Sequence, residues 1–213
     1  MCFSATASFT AAGALAVVGA ATLAQRPAPR LLPFALTPTI FAVHQAIEGV
    51  IWLDVAAGKT PTPALVAAWV FIAKTFWPAW TPFMVFMMER SAHRRLGLVA
   101  LLITGLTTAG VLLYVQIISP YTVEVASHHL NYLTAHPLSE ALIGLYVLST
   151  VAPLLISRAR LVELFGVVVL AGSIATEMFF TLAGASVWCF FAAIASIAVY
   201  FAVRAQTRAQ ALS

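Results

Sequence analysis

Four ionisable side chains and two tryptophans fall inside strongly apolar stretches of this sequence, where they would form a pocket for a ligand or an ion. The six residues are His44, Glu48, Lys74, Trp77, Trp80 and Glu177. On a helix, His44 and Glu48 stack on one face because they stand four positions apart. An ionisable group in hydrocarbon costs about 2.5–3.5 kcal/mol, which makes each of them a functional candidate. A carboxylate beside Lys74 can relay protons or hold a charged ligand, whereas an ion pair of Lys74 with Glu48 or Glu177 would only lock helices together.

Cysteine and histidine side chains offer a second kind of chemistry. Cys2 and Cys189 are the only two cysteines, and His128 and His129 lie in the longest connection of the chain. Thiolate together with imidazole suits zinc or copper, whereas two thiols in an oxidising compartment can form a disulfide. The sequence has no Cys-x-x-Cys or His-x-x-x-His spacing, so the ligands would have to converge from separate elements. A metal site and a disulfide both stay open.

Trp77 and Trp80 belong to a Trp-Pro-x-Trp-x-Pro segment that contains Pro78 and Pro82. Two prolines four apart remove helical hydrogen bonds and predict a kink. A kink can open a cavity that the tryptophans line. Prolines and tryptophans are also ordinary packing residues of membrane helices, so this segment alone does not establish a site.

The composition places these residues in a membrane protein. The chain has 213 residues, of which 62% are hydrophobic and 8% are charged. Soluble domains are about half apolar and a quarter charged, and a globule of this size cannot cover so much apolar surface. These figures exclude a soluble enzyme and a disordered chain. The sequence has no basic patch with interleaved aromatic residues, so nucleic acid is not an expected partner.

Seven stretches approach the apolar length of about 20 residues that a membrane-spanning helix needs. They cover residues 5–24, 31–54, 63–88, 96–118, 137–157, 161–183 and 186–204. We therefore predict an all-α membrane protein with a single seven-helix domain over residues 1–213 and one long loop at residues 119–136. Helices 1–3 and 5–7 can be laid over each other with helix 4 as a linker. Some transporters use such a three-plus-one-plus-three parallel repeat, although seven-helix receptors follow the same course.

The arginines predict the orientation of the helices. All nine follow predicted helices 1, 3, 5 and 7: Arg26, Arg30, Arg90, Arg94, Arg95, Arg158, Arg160, Arg204 and Arg208. The positive-inside rule makes this side cytoplasmic, so the N-terminus is outside and the C-terminus is inside. The expected location is the bacterial inner membrane, crossed several times, with the lipid bilayer as a partner. The polar groups then collect in the half of the bundle that is open to the periplasm.

The sequence resembles an uncharacterised bacterial membrane family whose members open with Met-Cys-Phe-Ser-Ala. The resemblance runs through residues 1–9 (MCFSATASF), 45–52 (QAIEGVIW), 76–80 (FWPAW), 129–132 (HLNY) and 186–193 (SVWCFFAA). The family brings no known activity, so the resemblance implies positions without a reaction. It singles out Cys2, Glu48, His129 and Cys189. It also implies that position 44 is often glutamine, which favours Glu48 over His44 as an essential ligand.

The residues support three hypotheses about function. The first is a polar pocket that faces the periplasm and binds, senses or transports a small ligand or ion. The second is a membrane-embedded metal-dependent enzyme or redox protein that uses Cys2, His129 and Cys189, with zinc or copper as the cofactor. The third is a structural subunit of a membrane complex. No side chain has the partners of a catalytic nucleophile, and the sequence does not specify an oligomeric state.

Overall fold

The computed structural model describes residues 4–126, 129–179, 193 and 195–211. In this part of the chain the helices are α1 (Ala5–Leu23), α2 (Leu32–Ala35), α3 (Thr37–Ala56), α4 (Pro63–Val70), α5 (Trp77–Met88), α6 (Ala92–Ile118), α7 (Glu140–Leu155), α8 (Arg160–Phe179) and α9 (Ile197–Ala211). A 3₁₀ turn (Pro29–Leu31) precedes α2, and a π-helical segment (Phe71–Phe76), the π segment below, joins α4 to α5. The strands are β1 (Thr122–Ala126) and β2 (His129–Leu133).

Four continuous helical stretches are long and apolar enough to cross a membrane. They are Ala5–Leu23, Pro29–Ala56, Pro63–Met88 and Ala92–Ile118, and each agrees with a predicted span to within four residues at either end. Apolar side chains of α6, such as Ile103 and Ile117, are exposed on the protein surface, as expected for a helix that contacts lipid. The described part of the chain thus contains seven helical stretches, of which four are candidate spans. This arrangement indicates a multi-pass membrane protein.

Of the last three predicted helices, the one at residues 161–183 agrees at its start with α8 (Arg160–Phe179), and its last four residues lie outside the described residues. The other two differ more from the structure. Helix α7 has 16 residues, fewer than the about 20 that a span needs. Of the predicted helix at residues 186–204, residues 186–192 and 194 lie outside the described residues. Helix α9 continues past the predicted end to Ala211, so Arg204 and Arg208 are helical. Arginine is a good helix former, and hydropathy, which defined the predicted end, is blind to that preference.

The expectation of a loop at residues 119–136 was wrong, because this segment contains an antiparallel hairpin of β1 and β2. Val123 pairs with Tyr132, and Val125 pairs with Leu130. Branched and aromatic residues at alternating positions fit a pleated strand better than a helix. The prediction treated the segment only as a gap between helices, which is why it missed the hairpin.

Helix α3 is the most buried of the four candidate spans. In the apolar part of its helical stretch, 61% of the residues are buried inside the protein, against 28% in α1 and 28% in α6. Helices α1 and α3 pack closely at two glycines. A Cβ at Gly19 would meet Thr39, and a Cβ at Gly49 would meet the ring of Phe9, so neither position has room for a side chain. Small residues at such crossings let helix backbones approach. The close packing removes the polar side chains of α3 from contact with lipid.

Candidate functional site

The candidate site begins with three polar residues that lie within five positions of each other in α3. His44, Gln45 and Glu48 each have 0% of their surface exposed. Positions four and three apart on a helix are neighbours, so Glu48 lies one turn from both of the others. Sequence reasoning singled out His44 and Glu48 and quoted Gln45 only within the QAIEGVIW segment of the resemblance, although a glutamine in the middle of a membrane span was itself a signal.

His44 connects α3 to α4 through Trp69. Its Nε2 atom lies 3.2 Å from the carbonyl oxygen of Trp69. A carbonyl only accepts, so Nε2 carries the hydrogen and donates it. The imidazole also stacks on the Trp69 indole, with ring centroids 4.8 Å apart. The other ring nitrogen, Nδ1, is buried and has no hydrogen-bond partner among the residues described.

Gln45 carries the largest unsatisfied hydrogen-bonding capacity of this region. Within the described ranges, neither its Nε2 nor its Oε1 atom has a hydrogen-bond partner. Several other buried groups share this condition there, among them the hydroxyl of Ser8 and the indole Nε1 atoms of Trp52 and Trp69. Buried polar groups in proteins are nearly always bonded to protein, ordered water or a ligand. The Gln45 amide therefore needs a hydrogen-bond partner that the described side chains do not supply.

Lys74 stands on the π segment, half-buried, and contacts Tyr121 at the start of the hairpin. Its Nζ atom donates to the Tyr121 hydroxyl oxygen at 3.3 Å and lies 4.4 Å from the centre of that ring. Burial raises the pKa of Tyr121 above its usual value of 10.0, so the phenol keeps its proton at neutral pH. The ion pair of Lys74 with Glu48 or Glu177 stays a prediction, since the Glu177 side chain lies outside the described part.

The π segment is held by side chains from two other helices. In a π-helix the carbonyl of Ala73 would accept from the residue five positions on, which is Pro78 and has no N–H. The hydroxyl of Tyr146 on α7 donates to this carbonyl oxygen at 2.7 Å instead. From α6, Gln116 Oε1 accepts from the Thr75 hydroxyl of the π segment at 3.5 Å, and its Nε2 donates to the carbonyl oxygen of Ala67 in α4 at 2.7 Å. These bonds fix the backbone that presents Lys74.

The two tryptophans proposed from the sequence occupy different surroundings. Trp77 is buried and stacks on Phe41 of α3, with centroids 4.6 Å apart, about one helical turn from His44. Trp80 stacks on Phe76 at 5.0 Å and lines an apolar groove of about 370 Å³ between α5 and α6. The structure therefore places Trp77 against the helix that carries His44, and Trp80 in the groove.

The hairpin covers this region with aromatic and apolar side chains. Tyr132 of β2 stacks in parallel on Trp69, with centroids 3.7 Å apart. Leu130 is buried in the same cluster as Trp69 and Ile51. Sequence reasoning missed Trp69 and Tyr121 and quoted Tyr132 only within the HLNY segment of the resemblance. The stack of His44, Trp69 and Tyr132 joins three elements that lie far apart in the sequence.

The described residues do not bring together a set of metal ligands. Across residues 4–126, 129–179, 193 and 195–211, no group of three or more His, Cys, Asp or Glu side chains could hold a metal ion. Cys2, His128 and Cys189 lie outside the described residues. His129 is the first residue of β2 and is half-buried. The metal site and the disulfide both stay predictions.

Comparison with known proteins gives one match. The model of a family described as "Family of unknown function (DUF6629)" matches residues 1–213. No curated protein and no solved structure matches the chain. The site must therefore be interpreted from its own residues.

Proposed function

Because the chain belongs to a family of unknown function, DUF6629, over its whole length, we propose its role from its own residues: it binds a small polar ligand or an ion at the buried face of α3. The observation that carries this proposal is the amide of Gln45. It is fully buried in a candidate membrane span, and within the described part of the chain both of its polar atoms lack a hydrogen-bond partner.

The energetic cost of Gln45 supports a ligand over a structural role. An unsatisfied buried polar group costs about 1–3 kcal/mol, and leucine at this position would avoid that cost with a similar volume. A bound molecule that hydrogen-bonds to the amide removes the penalty. A glutamine with a structural role would have its amide hydrogen-bonded within the protein, as the amide of Gln116 is to the carbonyl oxygen of Ala67.

The neighbouring groups suit a ligand that carries charge and hydrogen-bonding groups together. Gln45 both donates and accepts, and His44 Nδ1 accepts once Nε2 is bonded to Trp69. Glu48 supplies a carboxylate and Lys74 an ammonium group. In this proposal Glu177 is a second carboxylate partner, and Trp77, which stacks on Phe41 of α3, forms an apolar wall. Trp80 belongs to the α5–α6 groove instead.

The proposed site opens to the periplasm, in a single seven-span domain with its N-terminus outside and its C-terminus in the cytoplasm. Two contacts support one shared arginine-rich end. Arg94 Nη1 donates to the carbonyl oxygen of Ile156 at 3.0 Å, which joins the start of α6 to the end of α7. Gln25 Nε2 lies 3.5 Å from the carbonyl oxygen of Tyr200, which joins the end of α1 to α9. The positive-inside rule assigns that end to the cytoplasm.

A high-resolution map of the full chain in lipid nanodiscs tests the proposal, with Gln45→Leu prepared in parallel. We expect non-protein density within hydrogen-bond distance of the Gln45 amide in the wild type and none in the variant. Native mass spectrometry of both samples then gives the mass of the bound species. A dry, empty site beside Gln45 in the wild-type map contradicts the proposal.

A further inference from the structure

We propose that the hairpin of β1 and β2 is a lid that moves as an intact unit and controls access to the polar face of α3. What enters through the lid rests on the proposed function, whereas the movement itself does not. The hairpin contacts the bundle at Trp69 and Lys74, the two residues that connect it to the candidate site.

The hairpin is built as a self-contained unit. Its described strand ladder runs from the pair Thr122 and Leu133 to the pair Ala126 and His129. At its base the hydroxyl groups of Ser119 and Thr134 lie 2.8 Å apart and share a hydrogen bond. A movement of the whole hairpin about this base breaks none of these bonds.

Tyr132, Leu130 and Tyr121 join the hairpin to the helices through their side chains. Tyr132 stacks on Trp69, Leu130 packs into the cluster that contains Trp69, and Tyr121 contacts Lys74. Apolar contacts are non-directional and re-form readily after separation, and the hydrogen bond from Lys74 Nζ to the Tyr121 hydroxyl must break and re-form with them. The hairpin can therefore leave and return without refolding.

A ligand needs such a movement to reach the site. His44, Gln45 and Glu48 have no exposed surface in the described arrangement, so some covering element must be displaced. The Trp69 indole is packed between the Tyr132 ring and the His44 ring. Lifting Tyr132 therefore frees one face of Trp69 and loosens the wall of the site, which couples the lid to His44.

Cysteine labelling tests access directly. Gln45→Cys is placed in a chain that carries Cys2→Ser and Cys189→Ser, and its reaction with a membrane-impermeant maleimide is followed. We expect Tyr132→Ala to raise the labelling rate several-fold, up to about tenfold, because one aromatic pair is lost. Phe83→Ala removes a ring of equal size from the α5–α6 groove and should leave the rate unchanged. An unchanged rate in Tyr132→Ala overturns the lid, whether or not a ligand binds.

A second measurement needs no cysteine variant. The chain is labelled with 3-fluorotyrosine, and fluorine relaxation dispersion is recorded on the full-length protein, because microsecond-to-millisecond exchange is seen only by such methods. Tyr121 and Tyr132 should share one exchange rate, since they belong to one moving unit. Tyr114 of α6 and Tyr200 of α9 serve as internal controls and should show no such exchange. Absent or unequal exchange at Tyr121 and Tyr132 contradicts the proposal.

Discussion

His44 binds both the backbone and the side chain of Trp69. Its Nε2 atom donates to the Trp69 carbonyl oxygen at 3.2 Å, and its ring stacks on the indole at 4.8 Å. One side chain of α3 thus fixes α4 immediately before the π segment begins. Because Tyr132 stacks on the other side of the same indole, the relationship extends from the membrane span to the hairpin.

Replacing His44 by phenylalanine separates the two parts of this relationship. The stack on Trp69 is kept, but the Trp69 carbonyl loses its side-chain donor. We expect a loss of about 1–3 kcal/mol in the free energy of unfolding, measured by tryptophan emission in detergent. The control is His93→Phe at an exposed position, where a change within about 0.5 kcal/mol is typical of the surface. Equal effects of the two variants would contradict the assigned hydrogen bond.

Two glutamines of the candidate spans should respond in opposite directions to replacement by leucine. Gln45→Leu removes an unsatisfied amide and should raise the free energy of unfolding of the ligand-free protein by about 1 kcal/mol. Gln116→Leu removes a bonded amide, which donates to Ala67 at 2.7 Å, and should lower it by about 1 kcal/mol. Thermal unfolding of both variants after extensive washing provides the comparison. If Gln45→Leu is the less stable of the two, the amide has a bonding role in the fold.

Gly105 and Gly110 form a matched pair on α6. Pro82 has no N–H, so the Pro78 carbonyl lacks its usual helical hydrogen-bond donor. A Cβ at Gly105 would contact the oxygen of this carbonyl. Gly105→Ala should destabilise the protein by about 1–3 kcal/mol through overpacking. Nothing lies within 4 Å of a Cβ at Gly110, so Gly110→Ala should be neutral or stabilising by up to about 1 kcal/mol. Urea or SDS titration of both variants checks the sign.

Ionisation of the Tyr121 hydroxyl should lower the free energy of unfolding at alkaline pH. Burial raises the pKa of its hydroxyl above 10.0 in the folded protein, so the folded state holds this proton more tightly than the unfolded state. The resulting stability is fully present below pH 10 and is lost as the pH rises through the folded pKa. Unfolding measured from neutral to alkaline pH should therefore show a smaller decline in Tyr121→Phe than in the wild type. An equal decline in Tyr121→Phe and in the wild type would contradict this prediction.

The proposed orientation can be measured in intact cells. Lys59 in the α3–α4 turn and Arg208 in α9 are both exposed and are proposed to lie on opposite sides of the membrane. In a chain with Cys2→Ser and Cys189→Ser, we expect Lys59→Cys to react with an impermeant maleimide in intact cells and Arg208→Cys only after lysis. The reverse pattern would invert the topology and move the lid to the cytoplasmic side.

The sequence by itself determined the membrane class, the first four candidate spans and the shared face of His44 and Glu48. These features depend on local properties: hydropathy summed over about 20 residues and the spacing of helical neighbours. The start of α7 at Glu140 is also encoded locally, because Ser139 precedes it as a cap and accepts from Leu142, but hydropathy alone put that start at residue 137. The hairpin was also encoded locally, in alternating branched residues, but the search for spans overlooked it.

Only the tertiary structure decided how the candidate site is built. The pairing of His44 with Trp69, of Lys74 with Tyr121 and of Ala73 with Tyr146 joins residues that are 25, 47 and 73 positions apart. No local pattern encodes such contacts, because each depends on how two helices or a helix and the hairpin pack. The same holds for Gln45. Only the tertiary structure shows that its amide is buried and that neither polar atom has a hydrogen-bond partner within the described residues.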